Sequence, residues 1–182
     1  YSPVEEETML RDIEMARRCG ADGVVIGCLT PQGDIDRPLA RRLVEAAQGL
    51  SVTFHRAFDV CRNPAEALEA IIELGCQRIL TSGAQATAEL GIPLLKQLNE
   101  QAAGRIRLLA GCGVNEQNIL RIASETGIRE FHFSARHTLH SAMQYRNEAV
   151  SMGGTVHLNE YERNVTSSQR VAATIAQLQN LQ

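Results

Sequence analysis

Residues 52–66 read VTFHRAFDVCRNPAE, and the parity of the first five positions decides the fold. Successive side chains of a strand point to opposite faces, so Val52 and Phe54 share one side of the chain while Thr53 and His55 share the other. Residues 130–134, EFHFS, repeat the pattern, with Phe131 and Phe133 opposite His132 and Ser134. A strand covered by helices on both faces, as in a doubly wound sheet, reads apolar on both. One apolar and one polar side fits a barrel, in which one face meets helices and the other lines an interior that turns polar near its C-terminal mouth.

Working outward, short β-rich runs recur at 23–27 (GVVIG), 78–82 (RILTS) and 107–111 (RLLAG), each bounded by turn residues. Helical patterns with legible ends lie between them. The first opens on Ser2-Pro3-Val4-Glu5, a capping box with proline at the first helical position, and stops near Gly20; Met9, Leu10, Ile13 and Ala16 form its stripe. A second starts near Asp36 and buries Leu39, Leu43, Val44 and Ala47. A third begins at Asn63-Pro64 and ends at Gly75. Further helices are predicted over 88–102, from an Asn115 cap to Gly127, and over roughly 168–180.

Strands alternating with helices imply βαβ crossovers and a parallel sheet, hence an α/β protein. The reading is a single domain over 1–182: a (β/α)8 TIM-type barrel, N-terminally truncated to about five strands. If a whole barrel has about 250 residues, about 65 residues carrying three strands would precede this chain. Two open sheet edges would then favour self-association into a homo-oligomer.

Composition narrows the function. A 44% hydrophobic content and a formal charge of −3 fit one globular domain and disfavour a binder of nucleic-acid backbone, which concentrates positive charge. No apolar run approaches the ~18 residues of a membrane span, and YSPVEEET lacks the layout of a signal peptide, so a cytosolic location without membrane partners is expected. The five cysteines, Cys19, Cys28, Cys61, Cys76 and Cys112, show no C-x-x-C spacing and read as reduced thiols. The one lysine, Lys96, falls inside a helical pattern, which disfavours Schiff-base chemistry. No G-x-S-x-G nucleophile elbow occurs.

Barrel enzymes build their sites where strands run out into βα loops. His55, Arg56 and Asp59 lie at such an end: an acid, base or ligand, a cation able to clamp an anion at two points, and a carboxylate. A core histidine and an Arg56–Asp59 ion pair are the plainer alternatives. After the later strands come TSG (81–83), AGCGV (110–114) and FSA (133–135), whose small residues let backbone N–H groups approach an anion. Ser82, Gly83, Gly111, Gly113 and Ser134 are the anion-binding candidates. His137 and His140 have a spacing that would put two imidazoles on one helical face, although surface histidines are the preferred reading. Cys28 and Cys112, both at strand ends, could meet across a mouth and select Cu(I), or each could be a small apolar residue. Cys19 and Cys76 read as packing at the opposite end.

The ordered set GADGVVIGCLTPQGDID, VTFHRAFDVCRNP, GCQRILTSG, LLAGCGV, EFHFSA and MQYRNE resembles the CutC family of copper homeostasis proteins over essentially the whole chain. The resemblance implies a cytoplasmic (β/α)8 barrel of which this chain holds the last five strands. It implies copper as the metal, with the cysteines discussed as Cu(I) ligands near the ends of the first two strands, outside this chain. It carries over the strand-end set, His55, Arg56, Asp59, Ser82, Gly83, Gly111, Gly113 and Ser134, together with Arg146. Such a set is better suited to a small anionic or phosphorylated molecule than to Cu(I), which leaves an acid/base isomerase or lyase as the alternative to copper binding.

Overall fold

The computed structural model describes residues 1–153, 155, 156 and 159–179. Five strands, β1 (Gly23–Ile26), β2 (Ser51–Phe54), β3 (Arg78–Thr81), β4 (Arg107–Gly111) and β5 (Glu130–His132), form one parallel sheet in chain order, β1-β2-β3-β4-β5. Between them run α1 (Pro3–Arg18, preceding β1), α2 (Arg37–Ala47), α3 (Pro64–Glu73), α4 (Ile92–Ala102) and α5 (Ile119–Thr126); α6 (Ser168–Leu178) closes the described chain. Consecutive strand order without reversal is the arrangement of successive units of a TIM-type barrel, whereas doubly wound sheets reverse direction at a switch point.

The helix ends follow from local chemistry. The Ser2 hydroxyl accepts the Glu5 N–H while the Glu5 carboxylate accepts the Ser2 N–H at 2.7 Å. Asp36 caps α2 through the Leu39 N–H, and Asn63 caps α3 through the N–H groups of Ala65 and Glu66. Their buried stripes, Leu39, Leu43, Leu68 and Ile71 among them, cover one face of the sheet, each residue contributing roughly 1.5–3 kcal/mol of burial.

The sheet shows the parity expected from the sequence. Ile26, Val52, Phe54, Ile79 and Leu108 point into the helix layer and are buried, while their neighbours Thr53, Leu80 and Leu109 are half-buried and Val25 is 63% exposed on the other face. At the N-terminal end of that face Glu130 accepts from Arg78 at 2.6 Å and from Arg107 at 3.2 Å, and Arg78 also donates to Ser51.

Three details differ from the sequence reading. Helix α4 starts at Ile92, not 88, because residues 88–91 turn back onto β4: the Ala88 N–H bonds the Cys112 carbonyl. Helix α5 starts at Ile119 instead of directly after Asn115, whose side chain accepts the Gln117 N–H in a separate turn. The last helix is described to Leu178, and position 180 lies outside the described residues. Residues 136–166 also hold an unforeseen antiparallel hairpin, β6 (Arg136–His140) paired with β7 (Glu162–Thr166). Because His137 and His140 stand three places apart on a strand, they point to opposite faces, which removes the shared helical face read for them. His140 sits beside Glu162 at 3.1 Å.

Candidate functional site

The C-terminal strand ends are organised around Asp59. A 3-10 turn over Arg56–Val60 follows β2, and it carries Asp59 under the loop after β3. There its carboxylate, 6% exposed, accepts from the Thr81 hydroxyl at 2.6 Å, the Ser82 N–H at 3.0 Å and the Ala84 N–H at 3.1 Å. It also accepts from Arg56 Nε at 2.7 Å. The Ser82 hydroxyl accepts from the other arm of Arg56 at 2.9 Å. Burial pushes the Asp59 carboxyl upward, but the bonds from Thr81, Arg56, Ala84 and Ser82 outweigh it and hold the group below the usual carboxylate range.

The loop expected to cradle a ligand's anion therefore already holds one of the chain's own. Ser82 and Gly83 are buried, and the Gly83 N–H is taken by the Thr81 hydroxyl. Gly83 has φ +68°, and a Cβ on it would lie 2.5 Å from the Gly91 carbonyl oxygen. A Cβ on Gly91 itself would lie 1.8 Å from the Ser82 carbonyl oxygen. At Gly111 a Cβ would meet only the end of the Leu80 side chain, at 2.6 Å, which can turn aside.

What remains open is a cleft of about 360 Å³ at the ends of β4 and β5, lined by Arg56, Cys112, Gly113, Ser134 and the start of β6. Three of the non-glycine residues with left-handed backbone, Ala84 (φ 54°), Cys112 (φ 77°) and Ala135 (φ 45°), stand in the loops after β3, β4 and β5. Such strain persists where the surrounding structure over-determines the backbone, and it clusters at functional sites. The Cys112 thiol bonds the Ala86 carbonyl at 3.1 Å and also interacts with the Arg56 guanidinium, whose pKa is raised mainly by its bond to Asp59.

His55 belongs to a different place. Its Nδ1 accepts the Ala57 N–H at 3.1 Å, so the ring caps the 3-10 turn and carries its proton on Nε2. The ring lies under Gly27, where a Cβ would come within 2.3 Å of it, and it lines a second cleft of about 320 Å³ between β1 and α1. Burial pushes the imidazole below its ordinary pKa, partly opposed by a backbone hydrogen bond. The structure thus joins Arg56, Asp59 and Ser82 in one network, puts Arg56, Gly113 and Ser134 around one cleft, and leaves His55 facing another. Arg146 lies elsewhere again, stacked over the Tyr161 ring at 4.2 Å beyond the hairpin.

The thiols do not converge. Ile26 and Cys28 share the parity that faces the helices, and the Cys28 thiol is buried against the Asp36 carbonyl, pushed up to about 12 chiefly by burial. Cys112 faces the cleft instead, so the two do not meet across a mouth. Cys76, pushed up to about 11 by burial, is packed at the far end. Among the described residues no three His, Cys, Asp or Glu side chains are grouped to hold a metal ion. Among the described residues no helix is long and apolar enough to cross a membrane.

Comparison with known proteins gives a consistent result. The model of the CutC family matches residues 1–137. A family protein CutC of Bacteroides thetaiotaomicron is 73% identical over 175 residues, covering 96% of this chain and 70% of that protein. The copper homeostasis protein cutC homolog of Homo sapiens is 44% identical over 181 residues, covering all of this chain and 66% of that protein. A solved Streptococcus agalactiae structure bearing the CutC name superposes with a TM-score of 0.70 at 34% identity, over 72% of this chain and 65% of that one. The structure titled native KDPGal, with a TM-score of 0.55 at 18% identity, shares the fold alone.

Proposed function

The chain belongs to the CutC family, and from that premise we propose that it serves copper homeostasis in the cytoplasm, with Cu(I) as cargo held outside the residues seen here. The names of its relatives support the role. The absence of a grouped donor set among the described residues, and thiols kept protonated by burial, argue that the soft ligands belong to the part of the relatives' length that the match leaves out. The same reading completes the sheet. The free edge of β1 and the cleft between it and α1 are the seat of a further parallel strand, and a closed barrel follows when both edges are paired. An anaerobic Cu(I) competition titration against a chromogenic chelator, on this chain and on the full Bacteroides relative, tests it. Tight binding by the relative alone is expected; binding by neither overturns the copper assignment.

One observation favours a second reading beside the first. Arg56, fixed by a buried carboxylate at a strand end, lines a cleft whose lining, among the described residues, holds no carboxylate. This is equipment for holding a small anion, as in a barrel enzyme, while His55, which lines the other cleft, is not placed to move a proton to or from a ligand held there. Metal-free isomerase or lyase chemistry on a small anionic substrate is the activity it would support. Arg56→Gln should abolish turnover of any small phosphate or carboxylate on which the parent acts; unchanged turnover would refute this reading.

A further inference from the structure

We propose that the cleft beside β4 and β5 takes a small organic anion with an apolar body, and that Arg136 decides its selection; this rests on the anion-binding reading above. The cleft is lined by two arginines, Arg56 and Arg136, by the imidazole of His132, and by apolar walls from Leu80, Val114 and Phe133. The two arginines differ in what they have left to offer. Arg56 is offset by Asp59 and spends two of its N–H groups within the protein. Arg136 has no carboxylate within ion-pair distance among the described residues. Glu116, which holds the same Arg170 that reaches the Arg136 carbonyl, is occupied by that arginine at 3.0 and 3.1 Å.

The backbone that carries Arg136 is held in place from two sides. The Ser167 N–H bonds the Ala135 carbonyl at 3.0 Å, and Arg170, anchored by Glu116, donates to the Arg136 carbonyl. Ala135 turns through a left-handed φ of 45° at this point. These bonds fix where the Arg136 side chain starts without using its guanidinium, which stays exposed and free to meet a ligand. An arginine pair of this kind recognises phosphate or carboxylate oxygens by two-point hydrogen bonding, and the apolar wall favours a ligand whose charged end carries a ring or short chain over a bare ion.

Isothermal titration of this 182-residue chain with phenyl phosphate and with inorganic phosphate at low salt tests the proposal on wild type, Arg56→Gln, Arg136→Gln, Arg136→Lys and Phe133→Ala. Phenyl phosphate is expected to bind more tightly than inorganic phosphate. Arg136→Gln should weaken phenyl phosphate about tenfold, the worth of one charge-assisted contact, and Arg136→Lys should lose less. Phe133→Ala should narrow the gap between the two probes. Because the Arg136 carbonyl, not its side chain, holds Arg170, the glutamine variant should keep the parent's unfolding transition. If Arg56→Gln weakens binding and Arg136→Gln does not, the role of Arg136 is refuted while the anion-binding reading stands. If inorganic phosphate binds as tightly as phenyl phosphate, the apolar body is refuted. If neither probe binds the wild type, both readings fall together.

Discussion

Replacing Asp59 by asparagine tests whether the strand-end architecture is built on an internal anion. The carboxylate receives the Thr81 hydroxyl, the N–H groups of Ser82 and Ala84, and Arg56 Nε, all at 2.6–3.1 Å. Asparagine with its oxygen in the Oδ1 place keeps the Thr81, Ser82 and Ala84 bonds, but as neutral ones, each weaker by about 0.5–1 kcal/mol than a bond to a carboxylate, and its amide meets Arg56 Nε donor to donor. The lost ion pair adds less, because the Arg56 side chain is 42% exposed and solvated. A loss of about 2–4 kcal/mol follows, a large share of the 5–15 kcal/mol that holds a typical domain. Urea unfolding followed by circular dichroism should show the midpoint falling by roughly 1–2 M at unchanged slope. Arg56→Gln is the control and should cost under about 1 kcal/mol. Equal losses in the two variants would mean that the ion pair, not the loop N–H groups, is what Asp59 supplies; a loss under about 0.5 kcal/mol in Asp59→Asn would refute the reasoning. Acid dependence carries the same signature. The folded carboxyl lies below its unfolded pKa, so its contribution is complete above about pH 4 and disappears as pH falls through the folded value. The asparagine variant should lack that part of the acid limb.

Three further outcomes are expected. His55→Asn keeps an acceptor for the Ala57 N–H but cannot titrate; since the buried imidazole is held below its ordinary pKa, the parent should lose stability as pH falls from about 6.5, and the variant should not, as read by urea midpoints between pH 7 and 5. An unchanged slope would exclude His55 as its source. Gly91→Ala should cost about 3 kcal/mol or prevent folding, because its Cβ would stand 1.8 Å from the Ser82 carbonyl oxygen and backbone cannot yield cheaply; a midpoint equal to the parent's would contradict the close approach. In a thiol titration of the native chain, exposed Cys19 should react first, and Cys28 and Cys76 only on unfolding; five equal rates would show the core to be open.

The five parallel strands were legible because each is a short run of branched and aromatic residues between turns, and VTFHR exposed the one-sided helix cover through alternation alone. The hairpin was not, since RHTLH and ERNVT carry no apolar alternation; their strands are fixed by cross-strand bonds and by Arg170 reaching back to Arg136. At the candidate site, the residue types were legible and their partners were not. Asp59 meets loop N–H groups 23 and 25 positions away, and nothing in AFDVC announces that contact. The glycines of TSG and AGCGV suggest room for a ligand, yet Gly83 makes room for the Gly91 backbone. Arg136 was overlooked although it directly follows FSA, and the signal that would have found it is that a cation one step past a strand-end loop shares that loop's mouth. Arg146 follows only ten residues later in sequence but is carried off by the hairpin.

The copper name and the open cleft place different demands on the chain, and the distribution of thiols separates them. Cu(I) calls for two or three soft donors that converge and can lose their protons. Here strand parity turns Cys28 into the helix layer, where burial raises it to about 12, and leaves Cys112 as the one thiol among the described residues of the cleft, beside an arginine and with His132 in the same lining. A lone thiol next to a cation is a poor seat for a further cation, because Arg56 repels the metal at the distance from which Cys112 would bind it. The same guanidinium attracts an anion from that distance. The charge of these strand ends thus favours an anion over a metal ion, which supports the proposal that the copper ligands come from elsewhere in the fold.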